Sequence, residues 1–190
     1  MDIYTQFHVC TLNVCFTTSS WGIRHETKAK EKYISSESST HLHFDVSPNG
    51  FYISPQYPHL GASPDGMLSC DCCGSGCLEI KCPYLAQDKT LLELSKQRGF
   101  CLVASSPSDL TLKLNRQHNY YFQVQCQLHV TQTSYCDFCV WTPSELHIER
   151  IMPDSSFESC VMKATRFFKY AVLPELLGKW FSRNGSDSEL

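Results

Sequence analysis

The alternation of apolar and polar positions divides the chain into short, distinct segments. Apolar residues at helical spacing (Ile23, Ala29, Tyr33) predict a helix over 22–34, followed by a polar break at 35–40. Two short apolar runs, 44–46 and 51–53, flank Pro48-Asn49-Gly50 and predict a hairpin. Strands are expected at 61–69 and 77–82, with Gly74-Ser75-Gly76 as the turn between them. A helix over 88–97 should end near Gly99, and 110–114 reads as a short extended piece. Strands at 135–141 and 145–151 surround Thr142-Pro143-Ser144. The stretch 154–180 is mainly helical, with Asp154 or Ser155 as N-cap and a kink at Pro174. No internal repeat is visible.

One segment resists a simple reading. Phe122, Val124, Cys126, Leu128 and Val130 alternate with Gln123, Gln125, Gln127 and His129. Pattern alone says strand. On a helix, Gln117, Tyr121, Val124 and Leu128 would form one face, and Tyr120, Gln123 and Gln127 an adjacent one.

The chain has 190 residues, enough for one domain with its own core. Its 42% hydrophobic and 12% aromatic content is that of a folded globule, not a disordered chain. No run is long enough for a membrane span, and Asp2 and interspersed polar residues argue against a signal peptide. Twelve cysteines then suggest a reducing intracellular compartment, nucleus or cytoplasm, and leave the Asn184-Gly185-Ser186 triplet without meaning. A formal charge of −3 does not announce a nucleic-acid binder. Local basic clusters exist all the same: Arg24, Lys28, Lys30 and Lys32, then Lys113, Arg116 and His118. Either could meet a phosphate backbone or simply face solvent.

The chemistry concentrates in Gly61-Ala62-Ser63-Pro64-Asp65-Gly66 and Leu78-Glu79-Ile80-Lys81-Cys82-Pro83. On a strand Glu79 and Lys81 share one face while Ile80 points into a core. A hairpin there brings Asp65 toward Glu79. Two carboxylates and the Ile80 backbone carbonyl make a hard oxygen site suited to Mg²⁺, with Mn²⁺ as a substitute. Lys81 would orient a water or neutralise phosphoryl charge.

These motifs resemble the phage lambda exonuclease and viral-recombinase (YqaJ-type) family of the PD-(D/E)xK nuclease superfamily. The family reads S-P-D-G, a variable hairpin, then L-E-I/L-K-C-P, matched here at Ser63–Gly66 and Leu78–Pro83. Its W-G-x-x-x-E-x-x-A motif is matched from Trp21 to Ala29, and its Glu, here Glu26, is an active-site carboxylate. A third match runs from Tyr120 to Leu128 and on to Cys136-Asp137-Phe138. The resemblance implies an α/β fold: a mixed central β-sheet flanked by helices, with a restriction-endonuclease-like core over 21–182, behind an unmatched 1–20 and ahead of a tail at 183–190. It also implies a helix across the Gln-rich segment, with Gln123 or Gln125 contacting DNA or a metal-bound water, and Tyr121, Arg24 and Lys28 as further DNA contacts. The implied catalytic set is Asp65, Glu79, Lys81 and Glu26, with Asp65, Glu79, the Ile80 carbonyl and Glu26 around the metal. The implied activity is Mg-dependent exonucleolytic cleavage of double-stranded DNA in recombination or repair. Implied partners are DNA, a single-strand annealing protein and further copies of the chain, with no membrane. Family members carry several dozen more residues before the W-G motif, helping to grip the DNA end. The alternative is a nuclease-derived DNA-binding or interaction module without turnover.

Cys70, Cys72, Cys73 and Cys77 place four thiols in eight residues. They could supply a Zn²⁺ knob, yet no paired C-x-x-C knuckles face each other. Continued strand alternation would send Cys72 and Cys73 to opposite faces. The expectation is a plain hairpin tip whose sulfurs diverge.

Overall fold

The computed structural model describes residues 16–48, 50–86, 88–106 and 110–178. Residues 1–15, the expected tail and the Asn184 triplet lie outside the described residues. A central five-stranded sheet has the spatial order β1 (Asp45–Ser47), β4 (Gly66–Cys70), β5 (Gly74–Lys81), β8 (Tyr135–Trp141), β9 (Leu146–Ile151). The β5–β8 pair is parallel and the other pairs are antiparallel, so the sheet is mixed. Parallel pairing needs a long crossover. Here it contains α2 (Leu91–Ser95), the β6–β7 ribbon (Leu102–Ala104 with Leu112–Leu114) and α3 (Asn119–Thr131).

Two apolar layers hold the sheet. Ala29 and Tyr33 of α1 (Phe16–Glu37) pack on Leu68, Leu78, Ile80 and Cys139. On the other face Val124 and Leu128 of α3, with Leu91, Leu102 and Leu114, cover Cys77, Cys136, Phe138 and Val140. Burying each Leu, Val or Phe contributes roughly 1.5–3 kcal/mol. Thr90 starts α2 with a capping box: its hydroxyl accepts from the Glu93 amide, and Glu93 accepts from the Thr90 amide.

Several expectations need correction. The runs 44–46 and 51–53 do not form a hairpin. Val46 pairs with Leu68, while β2 (Tyr52–Ile53) pairs with β3 (Gly61–Ala62). An isolated hairpin this short is marginal, and the edge of β4 offers better pairing. Strand β6 was not foreseen. The Gln-rich segment is helical: α3 is packed on several sides, and a helix buried all round loses the single apolar stripe that betrays helical period. After α4 (Glu158–Phe167) the helix widens into a π turn at Phe168–Val172 before α5 (Leu173–Gly178). The irregularity therefore precedes Pro174, where the missing proline N–H removes a helical bond. Among the described residues no helix is long and apolar enough to cross a membrane.

Candidate active site

Register brings the motif residues together. Gly66 pairs with Leu78, so Asp65, one residue earlier, lies opposite Glu79 on the same face of the sheet. The Asp65 amide donates to the Leu78 carbonyl at 2.8 Å, and its Oδ2 accepts the Ile80 amide at 2.6 Å. A strand residue projects its N–H and C=O the same way, so the Ile80 carbonyl also faces the side where β4 has ended. Gly66 is closely enclosed: a Cβ there would meet Val46 at 3.0 Å and the Lys30 ammonium at 3.4 Å, and those side chains would have to give way.

Glu79 is 2% exposed and faces α3. Its Oε1 accepts from Gln123 Nε2 at 2.7 Å and from the Lys81 ammonium. Its Oε2 accepts from Gln127 Nε2 at 2.6 Å. Lys81 also lies 4.5 Å from the Tyr120 ring centroid. Glu26 enters from α1, whose first turns overhang the sheet. Trp21 packs edge-on against Tyr84, just beyond β5, and His25 stacks on Trp141 at the end of β8. One turn after Glu26, Lys30 donates to the Asp65 carbonyl at 2.7 Å. Glu26, Asp65, Glu79, Lys81, Tyr120 and Gln123 line one cleft of about 700 Å³ at the C-terminal end of β5.

The cleft carries surplus negative charge. Burial pushes the Asp65 carboxyl up to about 7, and Glu79 and Glu26 push the same way, while the Ile80 amide and Lys81 oppose them. Burial alone would lower the Lys81 pKa, but Glu79 and Tyr120 more than offset it, and the ammonium stays charged. Burial likewise keeps His118 below its ordinary value; its Nδ1 caps α3 by accepting the Tyr120 amide at 3.1 Å. A carboxyl raised first by burial and then by two neighbouring carboxylates marks a place a hard cation would stabilise. The donor set around it, Asp65, Glu79, Glu26 and the Ile80 carbonyl, is all oxygen. These residues fit a divalent ion.

Other candidates lie elsewhere. Gln125 does not face the cleft: it is 2% exposed, with its amide on the Met152 carbonyl and its Oε1 accepting from the Asp154 amide. Tyr121 also points away, into the core, with its hydroxyl donating to Asp154. Helical turn geometry is the reason, since only residues three or four apart share the Gln123 face. Gln127 and Tyr120 hold that position, and the i, i+4 spacing of Gln123 and Gln127 was the available signal. Arg24 and Lys28 are exposed and do not line the cleft. Lys30 is the member of that cluster turned inward. Cys77 leaves the thiol group for the core, against Cys136. Cys70, Cys72 and Cys73 do not diverge as expected: residues 71–73 form a turn, where strand alternation does not apply, and the three sulfurs gather with His41.

Residues 4–134 match the model of the YqaJ-like viral recombinase domain, more than half of the chain. The chain belongs to this family. The match begins ahead of Trp21 and ends just after α3. No curated protein matches the sequence. The fold of this YqaJ-like chain is similar to the crystal structure of an alkaline exonuclease (LHK-Exo) from Laribacter hongkongensis. The TM-score is 0.63 at 21% identity, over 95% of this chain and 82% of that one. The structure of LHK-Exo in complex with dAMP gives a TM-score of 0.64 at 20% identity, with the same coverage.

Proposed function

We propose that this protein is a divalent-metal-dependent deoxyribonuclease that degrades double-stranded DNA from its ends, in recombination or repair. The observation that carries the reading is the convergence of Asp65, Glu79 and Lys81 in one cleft, with the Asp65 carboxyl raised by burial and by its acidic neighbours. Family membership supports it, and the alkaline exonuclease shares the fold.

Asp65, Glu79, the Ile80 carbonyl and Glu26 would hold Mg²⁺, or Mn²⁺ in its place. The ion would supply charge stabilisation of the phosphoryl oxygens and a water of lowered pKa. The chain's own residues do the rest. Asp65 sheds its proton as the site fills. Gln123 and Gln127 keep both Glu79 oxygens aimed from behind. Lys81 moves from Glu79 toward the scissile phosphate, where its ammonium orients the attacking water and offsets developing charge. Water adds to phosphorus as the P–O bond to the leaving sugar oxygen breaks. The exposed Arg24 and Lys28 contact backbone phosphates outside the cleft. A reducing intracellular location, a single-strand annealing partner and association with further copies of the chain belong to the same proposal.

End-labelled linear duplex, single-stranded and circular DNA, each incubated with Mg²⁺ and with EDTA, test it. Linear duplex should be consumed with Mg²⁺ and spared with EDTA, and closed circles should survive. A protein that retains DNA without cutting any form in Mg²⁺ or Mn²⁺ is instead a silent binding module.

A further inference from the structure

Away from the cleft, the tip of the β4–β5 hairpin meets the loop that follows α1. His41 Nδ1 lies 3.0 Å from Cys72 Sγ and 3.6 Å from both Cys70 Sγ and Cys73 Sγ. Cys72 Sγ is 3.4 Å from Cys70 Sγ and 3.7 Å from Cys73 Sγ. All four ligand atoms lie within 4.8 Å of one another. A tetrahedral zinc ion, with Zn–S of about 2.3 Å and Zn–N of about 2.0 Å, spaces its sulfurs about 3.8 Å apart and its nitrogen about 3.6 Å from each sulfur. The edges at 3.6, 3.6 and 3.7 Å match those of such a tetrahedron, and the edges at 3.0 and 3.4 Å are shorter, so a small outward shift of Cys72 Sγ would admit the ion. Neutral thiols, as weak donors and weak acceptors, have little reason to gather this way.

The surroundings support the same reading independently. The other ring nitrogen of His41, Nε2, faces Glu37 Oε2 at 3.4 Å, the carboxylate–histidine arrangement that fixes a metal-bound imidazole. The Cys73 amide donates to Cys70 Sγ at 3.3 Å, and Arg150 donates to Cys73 Sγ at 3.1 Å. Both contacts suit thiolates, and the guanidinium offsets the net negative charge of three thiolates around one Zn²⁺. Gly74 follows with φ of +75°, which lets the chain reverse directly after the last sulfur.

We propose that His41, Cys70, Cys72 and Cys73 bind a structural zinc ion. All four protein ligands are present, so the site is closed and takes no substrate. It pins the end of α1 to the hairpin that carries Asp65 and Glu79, and so fixes the helix that presents Glu26 to the cleft. The site stands whether or not the cleft cuts DNA.

The test begins with metal analysis of the full chain purified under reducing conditions without added chelator. About one zinc per chain is expected. Exchange for Co²⁺ should give intense visible bands of a tetrahedral ion and thiolate-to-cobalt charge transfer in the near ultraviolet. Cys72→Ser and His41→Ala should lose the metal, and Cys160→Ser should keep it. His41→Cys should retain zinc through a fourth thiolate and shift the cobalt spectrum, which guards against variants that merely misfold. Wild-type protein that is folded, zinc-free and unable to take up cobalt overturns the proposal. So does a cobalt spectrum of octahedral type, or a disulfide among these cysteines in the purified, reduced protein.

Discussion

Glu79 is held by three donors, and this decides what its neighbours do. Gln127→Ala leaves one Glu79 oxygen buried and unpaired, so stability should fall by roughly 1–3 kcal/mol in urea denaturation. Lys81→Ala should lower the rate of cleavage by about 10²–10³-fold while magnesium still binds, as read by calorimetry. Asp65 sets a pH signature. Its folded carboxyl is raised from the ordinary 3.8 to about 7, so in that window the folded state holds a proton that the unfolded chain releases. In magnesium-free buffer the unfolding free energy should therefore decline as pH rises through this window and level off above it. Asp65→Asn should flatten that slope; an unchanged slope would locate the proton elsewhere.

At the scale of elements, α3 is the joint of the molecule. One face reaches Glu79, another fills the core through Val124 and Leu128, and Gln125 ties the helix to the segment after β9. Gln125→Ala removes both bonds of a buried amide and should cost roughly 2–4 kcal/mol. Cleavage per folded molecule should stay the same, because Gln125 never meets the cleft. Chemical denaturation beside a nuclease assay separates the two effects. The family resemblance, which implies Gln123 or Gln125 as a contact to DNA or a metal-bound water, leads to the opposite expectation, that this substitution weakens the site.

At the scale of the whole molecule, the fold depends on how α1 is fastened to the sheet. Tyr33 donates to Asp137 Oδ2 at 2.7 Å from one side, and Arg150 grips Asp137 at 2.8 and 2.9 Å from β9. Arg150 continues to Cys73, and Glu37 of α1 to His41, so one polar chain links helix, sheet and hairpin tip. Asp137 is 1% exposed, and Asp137→Ala should cost roughly 1–3 kcal/mol by leaving the buried Tyr33 hydroxyl unpaired and removing two of the bonds that hold Arg150. Urea unfolding checks this. Because α1 also carries Glu26, amide exchange along the helix should rise in the same variant.

The sequence by itself determined the strands at 135–141 and near 146–151, the α1 helix in outline, and the Asp65, Glu79 and Lys81 set. The reason is local: period-two alternation fixes which face Glu79 and Lys81 share. The hairpin turn itself falls at 71–73, and the expected turn residues Gly74, Ser75 and Gly76 lie in β5 instead. The helical state of α3 was legible only through family resemblance, since a helix buried on several sides erases its own periodicity. Tertiary structure decided the rest. The partner of β1 was settled by the open edge of β4, at a distance in sequence that no local pattern records. Packing of Val124 and Leu128 on the sheet settled which face of α3 meets Glu79, and helical spacing then put Gln127 rather than Gln125 beside Gln123. His41 joined three cysteines some thirty positions away because α1 ends over the hairpin tip, where a turn had already freed Cys72 and Cys73 from strand alternation. Contacts of that kind depend on how elements pack, and packing is a property of the folded chain as a whole.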